Sequence, residues 1–92
     1  MRKRLHIYYS GMVQGVGFRF TAERVAVSLG VTGWVRNLPD GRVETLCEGD
    51  EAVLIDFIRK MKEGPMREYI RDSSVNWTAA TGEFSHFSVK YY

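Results

Sequence analysis

Gly11-Met12-Val13-Gln14-Gly15-Val16-Gly17-Phe18-Arg19 marks the point where the hydrophobic period of this chain changes. Before it, Leu5, Ile7 and Tyr9 alternate with polar His6 and Ser10. That is the period of a strand with one covered face, expected over roughly residues 4 to 12. After it, Ala22, Val25, Ala26 and Leu29 recur at i, i+3, i+4 and i+7. The stripe predicts a helix over about residues 20 to 29, with Gly30 placed as its C-terminal cap. Gly11, Gly15 and Gly17 break both periods, so the segment is a loop joining strand to helix.

The pattern continues on both sides of a turn. Val31 to Leu38, with Thr32, Trp34 and Val35, reads as a second strand. Leu38-Pro39-Asp40-Gly41 is the turn, and Val43, Thr45 and Cys47 alternate with Arg42, Glu44 and Glu48 in a third strand. So short a connection makes these two strands an antiparallel hairpin. Asp50 can cap a second helix with an inner face of Val53, Leu54, Phe57, Ile58 and Met61. Acidic residues start that helix, Arg59, Lys60 and Lys62 end it, and Gly64-Pro65 stops it. Ile70 to Thr78 and Phe84 to Val89 complete the pattern as a fourth strand and a short terminal one. The order βαββαβ plus a terminal strand implies two helices on one face of a mainly antiparallel sheet. This is a ferredoxin-like α+β sandwich, expected as a single domain over residues 1–92.

Composition narrows the function. With 45% apolar and 13% aromatic residues the chain is globular. Its formal net charge of +2 tolerates anionic partners without demanding nucleic acid. The single Cys47 excludes an internal disulfide and a multi-cysteine zinc site, and His6 and His86 are too far apart in sequence for a local metal motif. A reducing cytoplasm is the expected location, and no apolar run approaches the length of a membrane span. Met1-Arg2-Lys3-Arg4 resembles the start of a signal peptide, but His6, Ser10, Gly11 and Gln14 interrupt the apolar stretch that should follow.

Chemistry concentrates in the glycine loop. Glycines reach backbone angles that other residues avoid, so successive N–H groups can turn inward around an anion. Arg19 stands where loop becomes helix, and its guanidinium, the helix dipole and the free N–H groups can converge on one phosphate or carboxylate. Taken alone, a glycine-rich connection with a solvated arginine accounts for the loop equally well. A triphosphate-binding loop needs Lys-Ser/Thr after the last glycine, where Phe18-Arg19 stands, and the dinucleotide fingerprint lacks its third glycine at Phe20. Asn37 ends the second strand. A right-handed crossover makes strands one and two parallel, so Asn37 shares the sheet edge that carries the loop. Its carboxamide can accept from water and donate to a substrate oxygen, but cannot act as a base.

Gly11-x-Val13-Gln14-Gly15-Val16-Gly17-Phe18-Arg19, Leu29-Gly30, Gly33-Trp34-Val35-Arg36-Asn37, Asp40-Gly41-x-Val43-Glu44, Glu48-Gly49 and Gly64-Pro65 together resemble the acylphosphatase family over nearly the whole chain. The resemblance implies metal-independent, cofactor-free hydrolysis of a carboxylic phosphoric anhydride to carboxylate and phosphate. It assigns Arg19 to phosphate binding and the backbone of Gln14, Gly15, Val16, Gly17 and Phe18 to the cradle. Asn37 takes the role of orienting the attacking water. Two departures are visible: Met12 where the family often has a basic residue, and Met66-Arg67-Glu68 after Gly64-Pro65.

The remaining candidates are weaker. Glu44 and Glu48 form a rival carboxylate pair, expected on an exposed sheet face. His6 is assigned to the open face, His86 to the outer side of the last strand, and Trp34 and Trp77 to packing. An RNA-recognition domain shares the element order, but its stacking aromatics project from central strands, whereas Phe18 and Phe20 follow a loop. The expected partner is a small acyl phosphate, with phosphate or another oxyanion in the loop, no nucleic acid, no membrane, and a monomeric chain.

Overall fold

The computed structural model describes residues 1–91. Leu5, Ile7 and Tyr9 are buried on one face of β1 (Arg2–Gly11). The chain then forms α1 (Phe18–Leu29), β2 (Thr32–Asn37), β3 (Val43–Asp50), α2 (Glu51–Glu63), a 3₁₀ turn (Arg67–Tyr69), β4 (Ile70–Ala79) and β5 (Phe87–Lys90). The strands lie in the order β4-β1-β3-β2-β5. Both β1 and β2 run antiparallel to β3, and Tyr9 and Asn37 both stand opposite Val43. They are therefore parallel to each other, and the loop after β1 emerges beside the end of β2. β5 adds a parallel edge along β2. Both helices cover one face, where Phe18, Ala22 and Ala26 from α1 and Leu54, Phe57 and Met61 from α2 meet the strands. The result is the ferredoxin-like sandwich that the hydrophobic periods predict.

Element ends differ from expectation where local contacts decide. α1 begins at Phe18 because Gly17 takes the left-handed conformation (φ 80°) and starts the helix. At the other end, Gly30 (φ 74°) caps it with N–H bonds back to the carbonyls of Ala26 and Val27. Asp50 does occupy the position before α2, yet its side chain makes no capping hydrogen bond. The terminal strand runs from Phe87 to Lys90, so His86 precedes it, exposed and hydrogen-bonded to Ser85. Trp34 does not enter the core; it lies under the cations of Arg36 and Lys90. Trp77 remains 38% exposed on edge strand β4.

The expectation for Glu44 and Glu48 was wrong. They are 5% and 0% exposed. β3 is the central strand, so long side chains from both neighbours close over its open face. Glu44 accepts from Arg36 Nε (2.7 Å) and Tyr8 Oη (3.2 Å), and pairs with His6 Nε2 (2.6 Å). Glu48 accepts from Arg4 Nε (2.8 Å) and from the backbone N–H groups of Thr81 (2.8 Å) and Gly82 (2.9 Å). Burial pushes both carboxyl groups up, but the hydrogen bonds and neighbouring cations outweigh it. Glu44 is held below its ordinary range and Glu48 at about 2. Both stay ionised at neutral pH with no proton to give, on the face away from the helices.

Two predictions test this frame. A folded pKa of about 2 against an ordinary 4.5 stabilises the protein above 4.5, and that stability is lost as pH falls toward 2. Glu48→Gln should therefore flatten the fall in thermal midpoint between about pH 5 and 2; a fall as steep as the wild type's contradicts the assignment. Gly33 (φ 133°) lies so close to β3 that an added Cβ would stand 1.8 Å from the Leu46 carbonyl oxygen. Clash and strain together should make Gly33→Ala cost ~3 kcal/mol or more in denaturant unfolding.

Candidate active site

The loop after β1 is pinned at both ends by apolar burial. Val13 is buried at its start and Phe18 at its end, with the Phe18 ring 4.8 Å from that of Tyr9 on β1. Between them Gly15 (φ 78°) and Gly17 (φ 80°) take left-handed conformations with open space around each missing Cβ. Backbone geometry, not crowding, is what demands glycine there. At the root of the loop the Met12 N–H donates to the Tyr69 carbonyl (2.9 Å), which ties it to the start of β4.

α1 starts without a side-chain cap and without an acidic residue in its first turn. Its first internal bond runs from the Thr21 N–H to the Gly17 carbonyl (3.1 Å). The N–H groups ahead of Thr21 thus face the loop mouth with the positive end of the helix dipole behind them. Arg19 lies in that first turn. Its Nη1 donates to the Lys90 carbonyl (3.4 Å), and its guanidinium carbon lies 4.9 Å from the centre of the Tyr91 ring. β5 and the residue after it therefore hold the cation over the cavity.

Asn37 reaches the same cavity from the end of β2. The cavity is about 170 Å³, and Gly15, Gly17, Phe18, Arg19 and Asn37 all line it. Asn37 Oδ1 is buried and has no hydrogen-bond partner among the described residues. A buried acceptor with no partner is costly, and a donor bound in the cavity would satisfy it. Gln14 and Val16, expected in the cradle, do not line the cavity. Val16 packs partly against the core. The Gln14 side chain donates to the carbonyls of Leu38 (2.8 Å) and Arg42 (2.9 Å), which fastens the loop to the β2–β3 turn just beyond Asn37.

Phe20, Val89 and Tyr91 also line the cavity and were not foreseen. Phe20 follows the arginine directly, but its helical periodicity gives no hint of a ligand. Tyr91 reaches Arg19 only through the parallel pairing of β5 on β2, a contact across most of the chain with no local signal. The described residues contain no cluster of three or more His, Cys, Asp or Glu side chains able to hold a metal. The donor set at the cavity, amide N–H, guanidinium and carboxamide, suits an oxyanion and not a cation. No helix among the described residues is long and apolar enough to cross a membrane.

Known proteins share this sequence pattern and architecture. The acylphosphatase family profile matches residues 5–89. An acylphosphatase of Methylococcus capsulatus is 46% identical over 87 residues, covering 95% of each chain. The crystal structure of acylphosphatase from Bacillus subtilis superposes with a TM-score of 0.90 at 37% identity, covering 97% of this chain and 99% of that one. HypF of T. kodakarensis superposes at 0.81 with 31% identity, but only 12% of its chain is matched. The match thus spans both strands of the hairpin, both helices and the glycine loop, and this chain belongs to the acylphosphatase family.

Proposed function

We propose that this chain hydrolyses acyl phosphates to carboxylate and inorganic phosphate, without a metal ion, through Arg19, Asn37 and the glycine loop. The observation that carries this reading is a shared wall: the Arg19 guanidinium and the unpartnered Asn37 Oδ1 line one cavity with the left-handed glycines. Family membership and the acylphosphatases it resembles support the same substrate class.

In this mechanism the phosphoryl group lies against the loop N–H groups and the start of α1, with the Arg19 fork on its oxygens. A water donates to Asn37 Oδ1 and attacks phosphorus in line. The bond from phosphorus to the acyl oxygen breaks, and the carboxylate leaves with its electron pair. The water's proton passes to a phosphate oxygen, which balances the step. Carboxylic acids have a pKa of about 4, so the leaving group needs no general acid at neutral pH. Positioning and charge stabilisation on the equatorial oxygens then carry the rate. Glu44 and Glu48, held ionised on the far face of the sheet, take no part. The partner is a small acyl phosphate, with phosphate or a similar oxyanion in the loop as product or inhibitor. The chain acts as a cytoplasmic monomer, a setting that suits its single, buried Cys47.

Arg19→Ala and Asn37→Ala should each lower kcat for benzoyl phosphate by about 10² to 10³ with the fold intact by circular dichroism. Arg19→Lys should recover little, because an ammonium cannot reproduce the planar fork. Near-normal turnover in either alanine variant, or activity that vanishes in excess chelator, overturns the mechanism. Gln14→Ala leaves the cavity lining intact but frees the loop from the turn. It should cost about tenfold in kcat/KM, read as a looser version of the Asn37 defect.

A further inference from the structure

α1 turns Phe18, Ala22 and Ala26 into the core. At about 100° per residue, Phe20, Glu23, Arg24 and Val27 fall on its opposite side. Two of these are large and apolar yet uncovered: Phe20 is 65% exposed and Val27 63%. They stand seven residues apart on one face, about 10.5 Å along the axis. A shallow groove joins them, lined by Phe20, Glu23, Arg24, Val27 and Ser28.

The groove adjoins the candidate active site, with Phe20 a wall of both. In-line displacement sends the leaving carboxylate to the side of phosphorus away from the attacking water. With water at Asn37, on the end of β2, the acyl group leaves away from that strand. Gly15 and Gly17 line the cavity, and of the two phenylalanines that α1 supplies to its wall Phe18 is buried and Phe20 exposed. An acyl chain that passes Phe20 meets Val27 next.

We propose that this groove is an acyl-chain subsite, and that the chain's preferred substrates are acyl phosphates with medium-length aliphatic tails. The inference rests on the acyl phosphate reading above and names its substrate class. Chain withdrawn from water along Phe20 and Val27 contributes binding energy remote from the reacting phosphorus.

The test is a series of acetyl, butyryl, hexanoyl and octanoyl phosphates. Full burial of a methylene is worth about fourfold in affinity, so a half-covered chain should raise kcat/KM about twofold per methylene. Val27→Glu, on the exposed side of α1 and remote from the reacting atoms, should leave acetyl phosphate turnover unchanged. It should lower the octanoyl-to-acetyl ratio by about five- to tenfold. Phe20→Ser should lower that ratio further. A flat series in which acetyl phosphate is still hydrolysed overturns the subsite and leaves the hydrolase reading standing, whereas no turnover of any member removes both. A rising series that Val27→Glu does not blunt places the tail elsewhere and also overturns it. If the series is flat and Val27→Glu instead shifts the sedimentation coefficient, the face belongs to a second copy of the chain and the proposal falls.

Discussion

The packing of Phe18 against Tyr9 is the contact on which the rest of the molecule depends. It forces the residue after Gly17 into the core while Gly17 itself stays at the surface in the left-handed conformation. Only a glycine turns the chain that sharply at no steric cost. The same turn that starts α1 aims its unsatisfied N–H groups at the cavity. Fold and chemistry thus share one constraint: the buried ring sets where the helix begins, and the helix start sets where an anion can sit.

Around that point the site is assembled by strand neighbours, not by sequence neighbours. β1 and β2 flank β3 in register, so the Gly11 end of one and Asn37 on the other emerge together. Gln14 then ties the loop to the β2–β3 turn, and β5 brings Lys90 and Tyr91 against Arg19. Each attachment reduces the freedom of a group that must hold its position before substrate arrives. In the proposed mechanism, preorganisation of this kind lets amides, one guanidinium and one carboxamide stabilise developing charge without a titrating acid or base.

The open face of the sheet shows the other use of charge. Glu44 and Glu48 are buried under arginine, histidine, tyrosine and backbone donors. Their lowered pKa values report structural ion pairs. Perturbed titration alone would have pointed to them as the functional carboxylates; their position on the central strand, away from the helix face, shows them to be structural.

Alternation at Leu5, Ile7 and Tyr9, the helical stripe from Ala22 to Leu29 and the Pro39-Asp40-Gly41 turn are local patterns, so element order and fold were readable from residues alone. Gly15, Gly17, Arg19 and Asn37 were also legible as a candidate site, because backbone freedom and residue chemistry belong to each position. Other features lay beyond reach: the burial of Glu44 and Glu48, the clamp made by the Gln14 side chain, and the lining by Phe20 and Tyr91. Those depend on which strands become neighbours and which long side chains fold over them. Pairing across the sheet is a property of the whole chain's burial, and no window of sequence contains it.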